Sequence, residues 1–296
     1  MPKARANGID IEYEQFGNPE DRPLVLIMGI GCQMVLWPTE FCEKLVAAGH
    51  FVLRFDNRDV GLTTKLDDAG VPNIFEVLAA HQEGKQVDVP YLLSDMAADT
   101  VGLMDSLNIE KAHICGLSMG GMIAQTIAIE HQHRLISLIS MESTTGETDL
   151  PPAQPEVAAA LIQPIPAERE AYIHHMIELF GLFAGGSDKY DEKVQREMSG
   201  LSFDRSFHPA GFARQFAAIV ASGGRRKTLA SVQIPTLVIH GAEDTLIPWE
   251  HGKDTADAIP KAQFLMLKGL GHGTAYPSLW DEIVEAIRKH TKAADA

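Results

Sequence analysis

The chain has 296 residues, 45% hydrophobic and 22% charged, enough to bury a sizeable core as one large α/β domain or as a domain with an insertion. Its formal net charge of −15 argues against a nucleic-acid or anionic-membrane partner, and no apolar stretch is long enough to span a bilayer. Cys32, Cys42 and Cys115 are an odd count without paired spacing, so neither a disulfide framework nor a zinc pattern emerges, and the N-terminus lacks the apolar core of a signal peptide. The expectation is a soluble, cytoplasmic protein, monomeric or homodimeric.

In chain order, Ala6 to Phe16 alternates as a strand does, with Ile9, Ile11 and Tyr13 on one face and a turn at Asn7-Gly8. The run Leu24 to Met28, bounded by Pro23 and Gly29, reads as a strand buried on both faces. A helix is expected over Thr39–Ala48 and a strand over Phe51–Asp56. Residues 67–90 carry Gly70, Pro72, Gly84 and Pro90 and read as irregular, after which Ser94 is placed to cap a helix ending at Leu107. Strands follow at Lys111–Cys115 and Leu135–Met141, with a helix from Met119 to His131 between them. From Ser143 to Thr228 prolines and glycines interrupt helical pieces and no strand-like run appears. Strand character resumes at Pro235–His240 and Gln263–Leu267, alternating with helices over Trp249–Ile259 and Pro277–His290; Lys292 to Ala296 reads as a frayed tail. Alternating strands and helices predict an α/β fold with a mostly parallel sheet flanked by helices. The expected organisation is a core from residues 1–142 and 229–296, interrupted by a helical cap at 143–228.

The stretch Gly116-Leu117-Ser118-Met119-Gly120-Gly121 lies between an apolar strand and a helix. A serine at the apex of so sharp a turn exposes its Oγ, and its neighbours must lack bulk: Gly116 and Gly120 supply room, and Gly121 lets the helix pack close to the strand. The helix starts beneath the serine, so its first amides point where an oxyanion would form. In open parallel sheets function lies beyond the carboxyl ends of the strands. There the chain offers Asp244, in the turn after Ile239, and His272, in the glycine-rich loop after Leu267. Ser118, Asp244, His272 is the chain order of a nucleophile, acid and base for this architecture. The rival acids are Glu142, whose ordinary reading is an exposed or cap-pairing side chain, and Glu243 beside Asp244. The oxyanion donors expected are the amides of Met119 and Ile30, the second from the loop after Met28.

These motifs, with Met28-Gly29-Ile30, Arg58-Asp59-Val60-Gly61, Pro235–Ile239 and Gly269-Leu270-Gly271-His272, resemble the α/β-hydrolase superfamily. Within it they are similar to the bacterial branch of the anthracycline methylesterases, of aclacinomycin methylesterase type. The resemblance spans about residues 9–140 and 230–290 and implies a cofactor-free carboxylic ester hydrolase with a helical cap. Met28 stands where many members carry histidine, a difference that removes a side chain and leaves the backbone donor.

Other features have plainer readings. His131 and His133 end the helix after Ser118, where cations are ordinary, and His174-His175 lack completing ligands, so neither a metal nor a cofactor is expected. Phe180, Leu182, Phe183, Phe203, Phe207, Phe212 and Phe216 pack the cap, with two or three left for a pocket wall; Trp37 and Met34 read as core. Cys32, near the oxyanion loop, and Cys115, on a core strand, read as buried small residues. Asp56 and Arg58 are placed to pair and brace their loop. The function expected is a serine carboxylesterase acting on a small to medium apolar ester. The same triad serves perhydrolysis, lactone opening or C–C bond hydrolysis, and a slow-turnover ligand receptor is the reading from a different class.

Overall fold

A computed structural model describes residues 2–85 and 87–295. Eight strands form one sheet: β1 (Lys3–Ala6), β2 (Ile9–Phe16), β3 (Arg22–Ile27), β4 (His50–Phe55), β5 (Ala112–Leu117), β6 (Leu135–Met141), β7 (Thr236–Gly241) and β8 (Gln263–Leu267). Their spatial order is β1-β2-β4-β3-β5-β6-β7-β8. The two pairings made by β2 are antiparallel, and all the others are parallel. The helices are α1 (Thr39–Ala47), α2 (Ile74–Gln82), α3 (Leu93–Ser106), α4 (Met119–Glu130), α5 (Pro155–Leu161), α6 (Arg169–Phe183), α7 (Glu192–Arg205), α8 (Ala210–Ser222), α9 (Arg226–Leu229), α10 (Glu250–Ala258) and α11 (Trp280–Ala294).

The strand period of two divides the core between the sheet's faces. Leu24 and Leu26 of β3 join the cluster under α1 and α11, whereas Val25 and Ile27 join the one under α3 and α4. That is why this run is continuously apolar. At the edge, β8 needs one dry face only, and Met266 is 50% exposed.

Five elements differ from expectation. Lys3–Ala6 is a strand, paired with β2 across the Asn7-Gly8 turn, where both residues have positive φ (46° and 81°). Its alternation was too short to read by itself. Helix α2 occupies part of the stretch expected to be irregular; Ile74, Val77 and Leu78 fall at helical spacing, of which only Val77 is buried, and Asn73 caps it. Helix α3 starts at Leu93, not Ser94, and Asp95 turns back to accept from the Leu92 N–H at 2.8 Å. The C-terminal tail is not frayed: α11 runs to Ala294, and Asp295 pairs with Arg22 Nε at 2.6 Å. Ala296 lies outside the described residues. Asp56 and Arg58 do not pair with each other; their separate partners are given below.

The other end of the sheet carries a buried histidine group. His50 and His113 stand on β4 and β5, and His290 on α11 covers them; all three are buried. Burial pulls His113 and His290 down to about 4, against the pull of Asp295 on His113 and of the Leu138 backbone on His290. A histidine depressed in the fold contributes stability in full above its unfolded value near 6.5, and that contribution is lost as pH falls toward 4. The midpoint of thermal unfolding is therefore expected to drop by roughly 5–10 °C between pH 7 and pH 4.5. In His290→Gln the drop should shrink; an equally steep drop would sink this account.

Candidate active site

Because β3, β5, β6, β7 and β8 run parallel, the residues that follow them gather along one edge of the sheet. Ser118 is held there by its N–H donating to Met141 O at 2.9 Å, and Glu142 by its N–H donating to Ile239 O at 2.9 Å. Ser118 has φ 57° and ψ −121°, a conformation that costs a non-glycine residue and persists because the surroundings leave no alternative. A Cβ on Gly116 would lie 2.0 Å from Gly120 O, and one on Gly120 would lie 2.1 Å from Ile27 O. On Gly121 it would meet the Ser143 side chain at 2.5 Å. Ser143 Oγ in turn donates to Ser118 O at 2.7 Å, fixing the turn from the neighbouring strand end.

Facing the serine is the loop after β3. A Cβ on Gly29 would sit 3.2 Å from Ser118 Cβ, so glycine is what permits the approach. The Gly31 N–H donates to Gln215 Oε1 at 2.7 Å, and the Cys32 N–H to Gly29 O at 3.3 Å. Both of those amides are occupied. Met119, which follows the serine, opens α4, whose first amides carry the positive end of the helix.

Asp244 and His272 come together. Asp244 Oδ2 accepts from His272 Nδ1 at 2.7 Å, while Oδ1 accepts from the Leu246 and Ile247 N–H groups at 3.0 and 2.8 Å. Burial opposes the charge on Asp244, yet His272, His240 and these bonds hold its carboxyl below the usual carboxylate range. With Nδ1 engaged, the Nε2 of His272 is the nitrogen left for other work. Glu243 points elsewhere and accepts from the Gly269 N–H at 2.7 Å, tying down the loop that carries His272.

Glu142 overturns its ordinary reading. It is fully buried, and its Oε2 accepts from the Gly273 N–H at 2.6 Å while lying 3.9 Å from His272 Nδ1. Burial pushes its carboxyl well above the usual value, and the neighbouring Asp244 charge adds to the effect. Two carboxyls sharing one site separate in this way, one ionised and one neutral. Its Oε2 holds the backbone next to His272. Its position past β6 was visible in the sequence, but the burial that decides its state was not. Glu142, Asp244 and His272 lie within the reach of one cation. The Nδ1 proton shared with Asp244 and the raised Glu142 carboxyl favour hydrogen bonding over ligation.

Ser118 and His272 line one cavity with Ile30, and its walls are largely apolar: Leu36, Leu117, Leu161, Ile165, Met176, Leu179 and Leu246 among them. Phe180, Phe183, Phe207 and Phe212 all take part, more of the aromatic set than expected. Met34 and Trp37 lie in the core and not on the wall. Cys32 lines the cavity, but burial pushes its thiol up to about 12, which leaves it a poor nucleophile.

The helices between β6 and β7 are bolted to the loop after β4. Arg214 of α8 donates from Nε and Nη2 to Asp59 Oδ2 and Oδ1 at 2.9 and 2.8 Å, with neither side chain exposed. Arg205 of α7 donates to Asp56 Oδ2 at 2.7 Å, and Asp56 also accepts from the Met34 and Leu62 N–H groups. Arg58 turns away to Asp99 of α3, at 2.6 and 2.7 Å. The bracing expected between Asp56 and Arg58 is thus spread over two separate pairs. Sequence reasoning missed Arg205, Arg214 and Gln215, whose partners stand about 150 residues away or more, a distance at which no local pattern operates.

The family model for the alpha/beta hydrolase fold matches residues 22–276. Rhodomycin D methylesterase DnrP of Streptomyces peucetius is 28% identical, over 95% of this chain and 94% of its own. A 2-hydroxy-6-oxononadienedioate/2-hydroxy-6-oxononatrienedioate hydrolase of Cupriavidus pinatubonensis is 30% identical, over 78% of this chain and 72% of its own. Among solved structures, a meta-cleavage product hydrolase from Pseudomonas fluorescens superposes with a TM-score of 0.75 at 21% identity, covering 99% of this chain and 98% of that one.

Proposed function

Because the chain belongs to the α/β-hydrolase fold family, we propose that it is a serine carboxylesterase acting on a small to medium apolar ester through Ser118, His272 and Asp244. Residues 143–228 form its cap over a core made of 1–142 and 229–296. The observation that carries the reading is the 2.7 Å bond from His272 Nδ1 to a buried carboxylate whose other oxygen is filled by two backbone amides. That carboxylate has no further partner to seek, so it holds the imidazole in one tautomer, with Nε2 turned to the cavity that Ser118 shares.

The reaction follows from that tautomer. His272 Nε2 takes the Ser118 hydroxyl proton as Oγ attacks the ester carbonyl carbon. The oxyanion is received by the Met119 and Ile30 amides, the latter preferred over Gly29 of the same loop, where the Gly31 and Cys32 amides are already occupied. The tetrahedral adduct collapses, the C–O bond breaks, and His272 returns the proton to the departing alcohol. Water then attacks the acyl-enzyme by the same route. Asp244 stays ionised throughout and stabilises the imidazolium.

The methylesterase relatives support an ester with a small alcohol. A second reading is C–C bond hydrolysis by the same triad, on substrates of the kind named for the Cupriavidus protein. Its named substrates are dicarboxylates, and no Lys or Arg lines this cavity among the described residues, which favours a neutral ester. A fluorophosphonate probe is expected to form one adduct per chain, on Ser118, and p-nitrophenyl butyrate to be hydrolysed. Labelling elsewhere, or none, would overturn the reading.

A further inference from the structure

The cavity wall is largely apolar, and several of its polar side chains are already engaged. Gln33 is saturated: Nε2 donates to Ser202 O and Ser206 O, both at 2.7 Å, and Oε1 accepts from Arg205 at 2.9 Å. Thr274 Oγ1 donates to Leu36 O. Gln195 of α7 differs. It is 1% exposed and lines the cavity; Nε2 donates to Ser199 Oγ at 3.1 Å, one turn on, while Oε1 has no partner among the described residues. Several buried side chains share that condition, but of those residues Gln195 is the one on this wall. A buried acceptor left unpaired is a persistent cost to the fold, so a residue of the cavity wall in that state is placed to receive a donor from whatever fills the cavity.

We propose that Gln195 is a polar subsite, and that the natural ester carries a hydroxyl or N–H group remote from the scissile carbonyl, which donates to Gln195 Oε1. The proposal rests on the ester-hydrolase reading and narrows its substrate class from a plain apolar ester to an apolar ester with one donor. The subsite lies on the histidine side of the cavity. Met198, in the same turn of α7, has its Sδ 3.7 Å from Thr274 Oγ1, and Thr274 follows His272 by two residues. A hydrophobic wall discriminates weakly between ligands that differ by a hydroxyl, whereas a buried hydrogen-bonding group rejects the analogue that leaves it unpaired.

The test uses two sets of matched esters. In methyl octanoates a hydroxyl is walked along the acyl chain; in butyrates of straight-chain alcohols it is walked along the alcohol. At one position the wild-type protein should prefer the hydroxylated ester over its parent by about 10-fold in kcat/KM. Gln195→Leu should erase that preference, read as the ratio of kcat/KM for the two esters within the same variant. Preference at no position, preference surviving in Gln195→Leu, or a gain with a keto group in place of the hydroxyl would each overturn the subsite while leaving the esterase reading intact. Absence of all ester turnover in the wild type would instead remove both.

Discussion

Ser118→Ala is expected to lower kcat for p-nitrophenyl butyrate by about 10⁴-fold or more, with KM changed little. The size follows from the arrangement. In the proposed mechanism His272 and Asp244 act on the substrate only through the proton of the serine, so the three operate as a unit, and deleting one removes nearly all that the three supply together. What would remain is the stabilisation proposed for the Met119 and Ile30 amides. Alanine suits the site structurally: the side chain of Ser118 donates no bond on which the elbow depends, because the turn is held through its backbone N–H and O. Thermal unfolding should therefore be nearly unchanged. Retention of full activity in a pure preparation would remove the serine mechanism.

Arg214→Ala is expected to be the most damaging single change to stability outside the site. The guanidinium and Asp59 have no exposed side-chain surface, and Asp59 also accepts from the Tyr91 hydroxyl at 2.8 Å and the Leu66 N–H at 2.7 Å. Burial opposes the Asp59 charge, and Arg214 with these donors holds its carboxyl below the ordinary range. Without Arg214 a carboxylate would be stranded in the interior, at a cost of about 3–5 kcal/mol. For a chain of this length the unfolding midpoint should fall by roughly 10 °C. Activity should fall too, since the next residue, Gln215, holds both the Gly31 N–H and Arg58 O at 2.7 and 2.8 Å. A paired Arg214→Met, Asp59→Asn variant should recover part of the loss by removing the stranded charge. An Arg214→Ala protein as stable as the wild type would show that the pair carries no such weight.

Much of the core was legible because its signals are local. The run Leu24 to Ile27 is apolar at every position because both faces are buried, and the sequence of Gly116 to Gly121 is dictated by atoms within a few ångströms of one another. Asp244 and His272 were nameable because parallel strands must all end at one edge, so position in the chain implies position in space. Helix α2 was passed over although Ile74, Val77 and Leu78 have helical spacing, because Gly70, Pro72, Gly84 and Pro90 around it read as breakers. Strand β1 was not legible, being a four-residue strand that exists through its partner.

The sequence by itself determined the architecture, the serine and the order of the residues that follow the strands, since each rests on periodicity or on turn sterics. Only the tertiary structure decided how charges and polar groups are spent. It buried Glu142 beside Asp244, joined Asp56 to Arg205 and Asp59 to Arg214, and left Gln195, a residue of the apolar wall, with an Oε1 that has no partner among the described residues. The physical reason is common to all of them. A polar side chain's state depends on what excludes water from it and what answers its hydrogen bonds, and here those groups arrive from elements far away in the chain.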